Sequence, residues 1–438
     1  MQKRCSSLLA QLIVTVLISC CFSLSSWGQA QANEKTQQKP YQEEELPLEE
    51  LELLTEVYGR IKRDHVDEIN DDKLFEAAAR GMLNALDEHS SYLEKEDLAK
   101  LRESTRGEFG GVGLELSSDN GLIQVVAPID ETPASKAGIK AGDIITRIND
   151  KAVQGFDINR IVNRLRGDPG TKVSLTVIRD EVAEPLSFEL ERNIIQVQSV
   201  RSRTLTPGYG YVRISQFQKR TAADLNQALN ELIKENSDPG LQGMILDLRN
   251  NPGGVLNTAI EVVDAFLEGG QIVYTKGRAK DSSMDFTASG EDRIDGAPLV
   301  ILINRGSASG SEIVAGSLQD RGRAIVMGET SFGKGSIQSV LPLGGPAMKL
   351  TTARYYTPSG TSIDNKGVVP DIQVAELRLT EAPDPQYSKQ AELAGIIPEK
   401  GQAEQNKGTA KLRDLAQEDY VLYEALNLLK GLSVVTGN

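Results

Sequence analysis

Leu299–Gln338 reads LVILINRGSASGSEIVAGSLQDRGRAIVMGETSFGKGSIQ. An unbroken apolar run, Leu299–Ile303, gives way to a turn rich in Gly and Ser. An amphipathic stretch, Ser311–Gln319, follows at helical spacing, then a second apolar run, Ala324–Met327, and a second glycine-rich turn. Buried strands read as continuous apolar runs, and helices between them cover the sheet. The same alternation extends outward. Tyr211–Ile214, Gly243–Leu248 and Gln271–Thr275 read as strands, and Ala222–Lys234 and Val255–Leu267 as helices; Ser336–Leu341 and Met348–Tyr355 read as a hairpin. This α/β pattern defines a core over residues 195–375, whose ligands are expected at the carboxyl ends of the strands.

Two turns of this core carry groups capable of chemistry. Ser309 precedes a helix, and Lys334 follows it by 334 − 309 = 25 positions, flanked by Gly333 and Gly335. A serine hydroxyl is a weak nucleophile until a base takes its proton. The chain has two histidines, His65 and His89, both in a charged helical stretch far from these turns. A lysine serves instead if burial keeps its amine neutral. Ser309-Gly-Ser-Glu312 equally fits a capping box, and Ser307 and Ser311 compete with Ser309 for any functional role. Gly328–Lys334 fits G-x-x-x-x-G-K, but Gly335 stands where a phosphate loop needs Ser or Thr, and a strand rather than a helix follows. Gln338 lies on the strand face shared with Ser336 and is placed to orient the amine or the serine. A third turn, Asn250-Asn-Pro-Gly253-Gly254, follows the strand Met244–Leu248; it is either a simple link to the next helix or a pocket of backbone amides for negative charge.

Composition narrows the classes. The 438 residues carry a net charge of −14, which argues against nucleic acid as a partner. All three cysteines, Cys5, Cys20 and Cys21, lie in an amino-terminal segment with Lys3 and Arg4 ahead of an apolar Leu8–Leu24. Ala30-Gln-Ala32 fits a cleavage signal, so residues 1–32 read as a signal peptide and 33–47 as a disordered lead. Leu17-Ile-Ser-Cys20 also resembles a lipobox, which would leave a lipidated Cys20. Cleavage after Ala32 leaves no thiol, disulfide or metal-type cysteine cluster, and no metal is expected.

Residues 48–104 show helical spacing, as in Leu51, Leu54, Tyr58 and Ile61. Residues 105–194 alternate short apolar runs with Gly and Pro turns and read as a compact β-rich module. Its loop Gly110-Gly111-Val112-Gly113-Leu114 offers successive amides to a carboxylate, unless it is merely a turn. Residues 376–410 read as an exposed linker. Residues 411–438 read as a last amphipathic helix, with Leu415, Leu422, Leu426 and Leu429 in one stripe.

Taken together, the motifs resemble the carboxyl-terminal processing peptidases, or tail-specific proteases. The similarity rests on Gly110–Leu116, PASKAGIKAGDIITRIN (133–149) and RGDPGT (166–171) for a PDZ domain. It rests on LDLRNNPGG (246–254), Ser307–Asp320 and Gly328–Gln338 for the catalytic core, and on Tyr355–Asp371 for the segment that closes it. The resemblance implies an exported, periplasmic serine endopeptidase without cofactor, on a core of crotonase/Clp-protease-like fold. It implies Ser309 as nucleophile, Lys334 as general base, Gln338 as orienting residue, and oxyanion donors at Gly253, Gly254 and Gly310. Gly310 stands where many members have alanine. The PDZ loop Gly110–Leu114 would hold a substrate's free C-terminus, and Arg166 would couple that occupancy to the site. Partners would be polypeptides with free C-termini, further copies of the chain through the helical ends, and an activating adaptor. Two other classes fit less well: a non-catalytic exported PDZ scaffold, and a crotonase-like acyl enzyme, for whose coenzyme no basic patch is seen.

Overall fold

The central sheet has six strands, and their order across it follows the order in the chain: Val200–Thr206, Tyr209–Ile214, Gly243–Asp247, Leu299–Ile303, Ala324–Gly328 and Ile372–Gln373. The first pair is antiparallel and every later pair parallel. The computed structural model describes residues 46–377 and 407–436, apart from Asn120, Gln154, Glu181 and Pro239. The expected signal peptide and all but the last two residues of the disordered lead lie outside these residues, as does most of the linker.

The two innermost parallel strands, Gly243–Asp247 and Leu299–Ile303, are buried at every position. That is why their sequences are continuous apolar runs rather than alternating ones. Helices Thr221–Glu235, Leu256–Asp264 and Gly310–Asp320 form one layer, with Leu225, Leu229, Val263 and Val314 in the same core as Val212, Leu246 and Ile301. On the other face Leu422, Leu426 and Leu429 pack with Ile245, Val300, Leu302 and Met327. The carboxyl-terminal stripe therefore covers its own sheet. It comes from two helices rather than one, Lys407–Glu418 and Tyr420–Thr436. The break falls at Asp419, whose carboxylate accepts the Leu422 amide at 3.0 Å and so caps the second helix.

A second, antiparallel sheet has the hairpin Ser336–Pro342 and Ala347–Tyr356 at its centre, with Ser91–Leu93 and Gly270–Gly277 on the far edge of the longer strand. The β-rich module is a six-strand antiparallel sheet, five strands in order from Leu114–Asp119 to Leu186–Glu191 and the short Lys151–Ala152 paired to Ile144–Ile148, around a core of Ile123, Val125, Ile145, Leu175 and Leu190. Asp157 caps its helix Ile158–Leu165 by accepting the Asn159 amide at 2.8 Å. Glu108–Gly111 and Leu114–Asp119 are separate strands, with Val112 and Gly113 between them. Gly113 has φ +78, and a Cβ there would meet the Thr132 side chain at 2.4 Å, so the ladder must break at this point.

The boundary between two compact units falls between Ala77 and Ala78. In the first, Tyr58 and Phe75 stack at 5.3 Å. No residue of the helix Leu48–Asp64 is buried, so its apolar stripe is real in spacing but, beyond the Tyr58 stack, left largely uncovered within its own unit, with Leu51 and Leu54 exposed.

Candidate active site

The Ser309 turn begins where the strand Leu299–Ile303 ends. Ser309 has φ +53 and ψ −110, a region L residues rarely occupy, immediately ahead of the helix Gly310–Asp320. Such strain persists only where surroundings over-determine it. The surroundings here are specific. Ser307 Oγ donates to the Leu248 carbonyl at 2.8 Å, and Ser311 Oγ donates to the Asn251 carbonyl at 2.9 Å. The Ala308 amide donates to that same Asn251 carbonyl at 2.9 Å. The two serines that compete with Ser309 in the sequence are thus fully buried structural ties. Ser309 is partly exposed.

Glu312, fully buried, organises the site. Its Oε2 accepts the amides of Ser309 and Lys334, each at 2.8 Å. Its Oε1 accepts Ser331 Oγ and the Gly333 amide, each at 2.6 Å. One carboxylate thereby fixes both the serine turn and the lysine turn. The capping reading of S-x-x-E is correct for its Ser309 arm, yet three of the four donors lie 19 to 22 residues further on. Nothing local in the sequence announces them.

Lys334 is half-buried. Burial lowers its pKa from the ordinary lysine value, the positive charge of Lys349 lowers it further, and the Glu312 charge opposes both. Its carbonyl accepts the Tyr355 hydroxyl. That phenol also faces the Ser309 side chain, and burial and the Glu312 charge hold its pKa well above the usual tyrosine value. Tyr355 is therefore a persistent donor between the two turns, and sequence reasoning missed its role. No hydrogen bond joins Lys334 Nζ to Ser309 Oγ in this arrangement of the described residues. Gln338 does not reach either group: its amide donates to Ser336 Oγ at 2.9 Å and Thr351 Oγ1 at 3.4 Å.

The third turn closes against the first. A Cβ on Gly253 would come within 2.7 Å of Ser309 Cβ and 3.0 Å of the Gly310 nitrogen. The Gly253 amide is already committed to Asn251 Oδ1 at 2.9 Å. The amides of Gly254 and Gly310 have no acceptor among the described residues.

In the β-rich module, a cavity of about 160 Å³ is lined by Phe109, Gly111, Val112, Gly113, Leu114, Leu116, Val162, Leu165 and Arg166. The amides of Val112 and Gly113 find no acceptor among the described residues. Gly110 lies beside this groove, with its carbonyl accepting the Gly167 amide at 3.2 Å. Arg166 sits over the Phe109 ring at 4.6 Å and pairs with Glu103 at 3.6 Å. Among the described residues no cluster of His, Cys, Asp and Glu is arranged to hold a metal ion.

Comparison with known proteins finds three family models and several relatives. The model of peptidase family S41 matches residues 208–374, that of a PDZ domain residues 124–179, and that of the activating protease CtpB N-terminal domain residues 15–97. The carboxy-terminal-processing protease of Bartonella bacilliformis is 44% identical over 398 residues, covering 89% of this chain and 90% of that protein. The carboxy-terminal processing protease CtpA of Bacillus subtilis is 35% identical over 341 residues, covering 77% and 70%. A solved photosystem II D1 C-terminal processing protease is 32% identical, with a TM-score of 0.45 over 74% of this chain and 93% of that one.

Proposed function

This chain belongs to the carboxy-terminal processing proteases of peptidase family S41, and from that premise we propose that it is a Ser309/Lys334 dyad peptidase acting on polypeptides presented by their C-termini. It is a serine-type peptidase with a PDZ domain. The observation that carries the dyad assignment is the shared Glu312 clamp on the amides of Ser309 and Lys334. It ties the only serine with positive φ among the described residues to a lysine whose pKa burial has lowered.

In the proposed reaction, neutral Lys334 takes the proton from Ser309 Oγ as that oxygen adds to the scissile carbonyl. A rotation of the long lysine side chain brings Nζ into reach, as such contacts tighten when substrate binds. The oxyanion is held by the amides of Gly254 and Gly310, the two left without acceptors, while Gly253 holds the turn through Asn251. Lys334 returns its proton to the leaving amine, and water then attacks the acyl-serine by the same route. Gln338, bonded to Ser336 and Thr351, acts on the base only after a rotamer change. The parallel sheet flanked by helices supports a crotonase/Clp-like reading of the core.

The groove at Val112–Leu116 has apolar walls and two open amides, which suits a free carboxylate and an apolar last side chain. Arg166, between Phe109 and Glu103, is placed to report occupancy of that groove. The positively charged start and the Ala30-Gln-Ala32 signal support export to the periplasm, by cleavage after Ala32 or lipidation at Cys20. The uncovered stripe of Leu48–Asp64 supports self-association or an activating adaptor. The test is hydrolysis of an unfolded protein substrate by wild type, Ser309→Ala and Lys334→Ala. Both variants should be inactive while folded; retention of proteolysis by either ends the dyad reading.

A further inference from the structure

We infer that Arg249 and Asp419 are positioning residues, through which the docked carboxyl-terminal helix holds the oxyanion turn in place. The inference rests on the assignment of Gly254 and Gly310 as oxyanion donors.

Asp247 ends the strand Gly243–Asp247. The Asp247 carboxylate has no solvent exposure. It accepts the Tyr211 hydroxyl at 2.9 Å, the Arg249 amide at 3.0 Å, and Arg249 Nε and Nη2 at 3.0 and 2.6 Å. Arg213 Nη1 stands 3.3 Å from it. Burial, and then the Asp247 charge, push the Tyr211 phenol up to about 12, so it remains a donor. The Arg249 fork continues across the fold: Nη1 and Nη2 meet the two Asp419 oxygens at 2.9 and 2.6 Å. One planar cation thus bridges two carboxylates 247 and 419 residues along the chain, a geometry arginine supplies and lysine does not.

Asp419 caps the helix Tyr420–Thr436, so the ion pair holds the end of that helix nearest the turn. The far end is held separately, by Tyr209 Oη and Ser433 Oγ at 2.7 Å. From Arg249 the chain passes directly into Asn250 and Asn251. The Arg249 carbonyl accepts Arg213 Nη2 at 3.2 Å, which fixes the peptide at that point. Asn251 then ties both halves of the oxyanion pocket, with its carbonyl on the Ala308 amide and its Oδ1 on the Gly253 amide. A shift of the Arg249 backbone therefore moves Gly254 and Gly310 relative to Ser309. A displacement well under 1 Å is enough to weaken transition-state hydrogen bonds.

Removing Asp419 leaves a buried guanidinium with half its fork unpaired, next to the turn. The experiment compares Asp419→Asn with Tyr209→Phe in the full chain; the two substitutions loosen opposite ends of one helix. Turnover and KM on an unfolded protein substrate are measured with thermal melting. Asp419→Asn should lower kcat about tenfold with KM unchanged, a loss of about 1.4 kcal/mol in transition-state stabilisation. Tyr209→Phe should lower the melting temperature at least as much and leave kcat within about twofold. Asp419→Glu should recover most of the lost kcat. Equal kcat losses in the two variants, or a kcat for Asp419→Asn within twofold of wild type, overturn the inference. Ser309→Ala in the same assay separates the layers. If it retains activity, the oxyanion assignment falls and the inference with it; if it is inactive while Asp419→Asn is normal, only the link fails.

Discussion

Replacing Glu312 by Gln tests the idea that one carboxylate sets the geometry of both reacting turns. The substitution keeps size and one acceptor oxygen. The amide must turn so that its oxygen stays on the Ser309 and Lys334 amides, because the opposite orientation sets an NH2 against both. Its NH2 then faces Ser331 Oγ and the Gly333 amide. The Ser331 hydroxyl can accept from it while still accepting the Val368 amide at 2.7 Å. The Gly333 amide cannot, and is left without a partner. An orphaned buried donor costs about 1–3 kcal/mol, and bonds to a charged acceptor weaken by about 1 kcal/mol each on neutralisation. The total loss of stability is then about 4 kcal/mol. The part that falls on the Ser309 and Lys334 amides, about 2 kcal/mol, corresponds to about a 30-fold drop in kcat if it is felt in the transition state. KM should stay within about twofold, since the PDZ groove is untouched. Ser331→Ala, which leaves both reacting amides on the carboxylate, should lose no more than about threefold in kcat. The assay is steady-state hydrolysis of an unfolded protein at a temperature where melting shows every variant folded. A folded Glu312→Gln enzyme with kcat within threefold of wild type would refute the reasoning.

The lowered Lys334 pKa makes its neutral form grow as pH rises, so with Lys334 as the proposed base kcat/KM should climb with pH and level off below the ordinary lysine value of about 10.4. Because Lys349 contributes to that lowering, Lys349→Gln should move the rising limb to higher pH; a limb that stays in place removes Lys349 from the account. Gly254→Ala should abolish activity, since its φ of +144 is ill suited to alanine and a Cβ would fall 2.0 Å from the Phe217 carbonyl oxygen. Opening that contact breaks the bonds from the Phe217 and Val255 amides that close the turn, and a fully active Gly254→Ala enzyme would remove this turn from the site. Asp419 has opposing influences: burial raises its pKa, but the bonds and charge of Arg249 outweigh this and lower it. Its contribution is present above the unfolded value of about 3.9 and lost as pH falls through the folded one, so Asp419→Asn should flatten the acid limb of a stability–pH profile measured by denaturant melts.

The parts of this molecule legible in the sequence are those fixed by periodicity. Leu299–Ile303 and Gly243–Asp247 declare themselves as buried parallel strands because both faces are covered, and the stripe Leu422–Leu429 declares a packed helix face. Periodicity cannot choose between chemically identical residues. Ser307, Ser309 and Ser311 are equivalent in the sequence. What separates them is where Leu248 and Asn251 lie, 59 and 60 residues earlier in the chain, since those carbonyls take the Ser307 and Ser311 hydroxyls. Gly253 and Gly254 are likewise indistinguishable until Asn251 claims one amide. The uncovered stripe of Leu48–Asp64 shows the converse limit: spacing reports that a helix has an apolar face but not what lies against it.

Glu312 is half-legible for the same physical cause. Its bond to the Ser309 amide closes within one helical turn, so S-x-x-E suggests it; its bonds to Ser331, Gly333 and Lys334 close a loop of about twenty residues, which no local pattern encodes. A buried carboxylate needs several donors to offset its desolvation, and a single cap bond is not enough. A fully buried glutamate at the third position of a helix therefore implies a second set of donors arriving from elsewhere. In this chain those donors are the glycine-flanked amides of the Lys334 turn, so the burial of Glu312 requires that turn to lie beside Ser309.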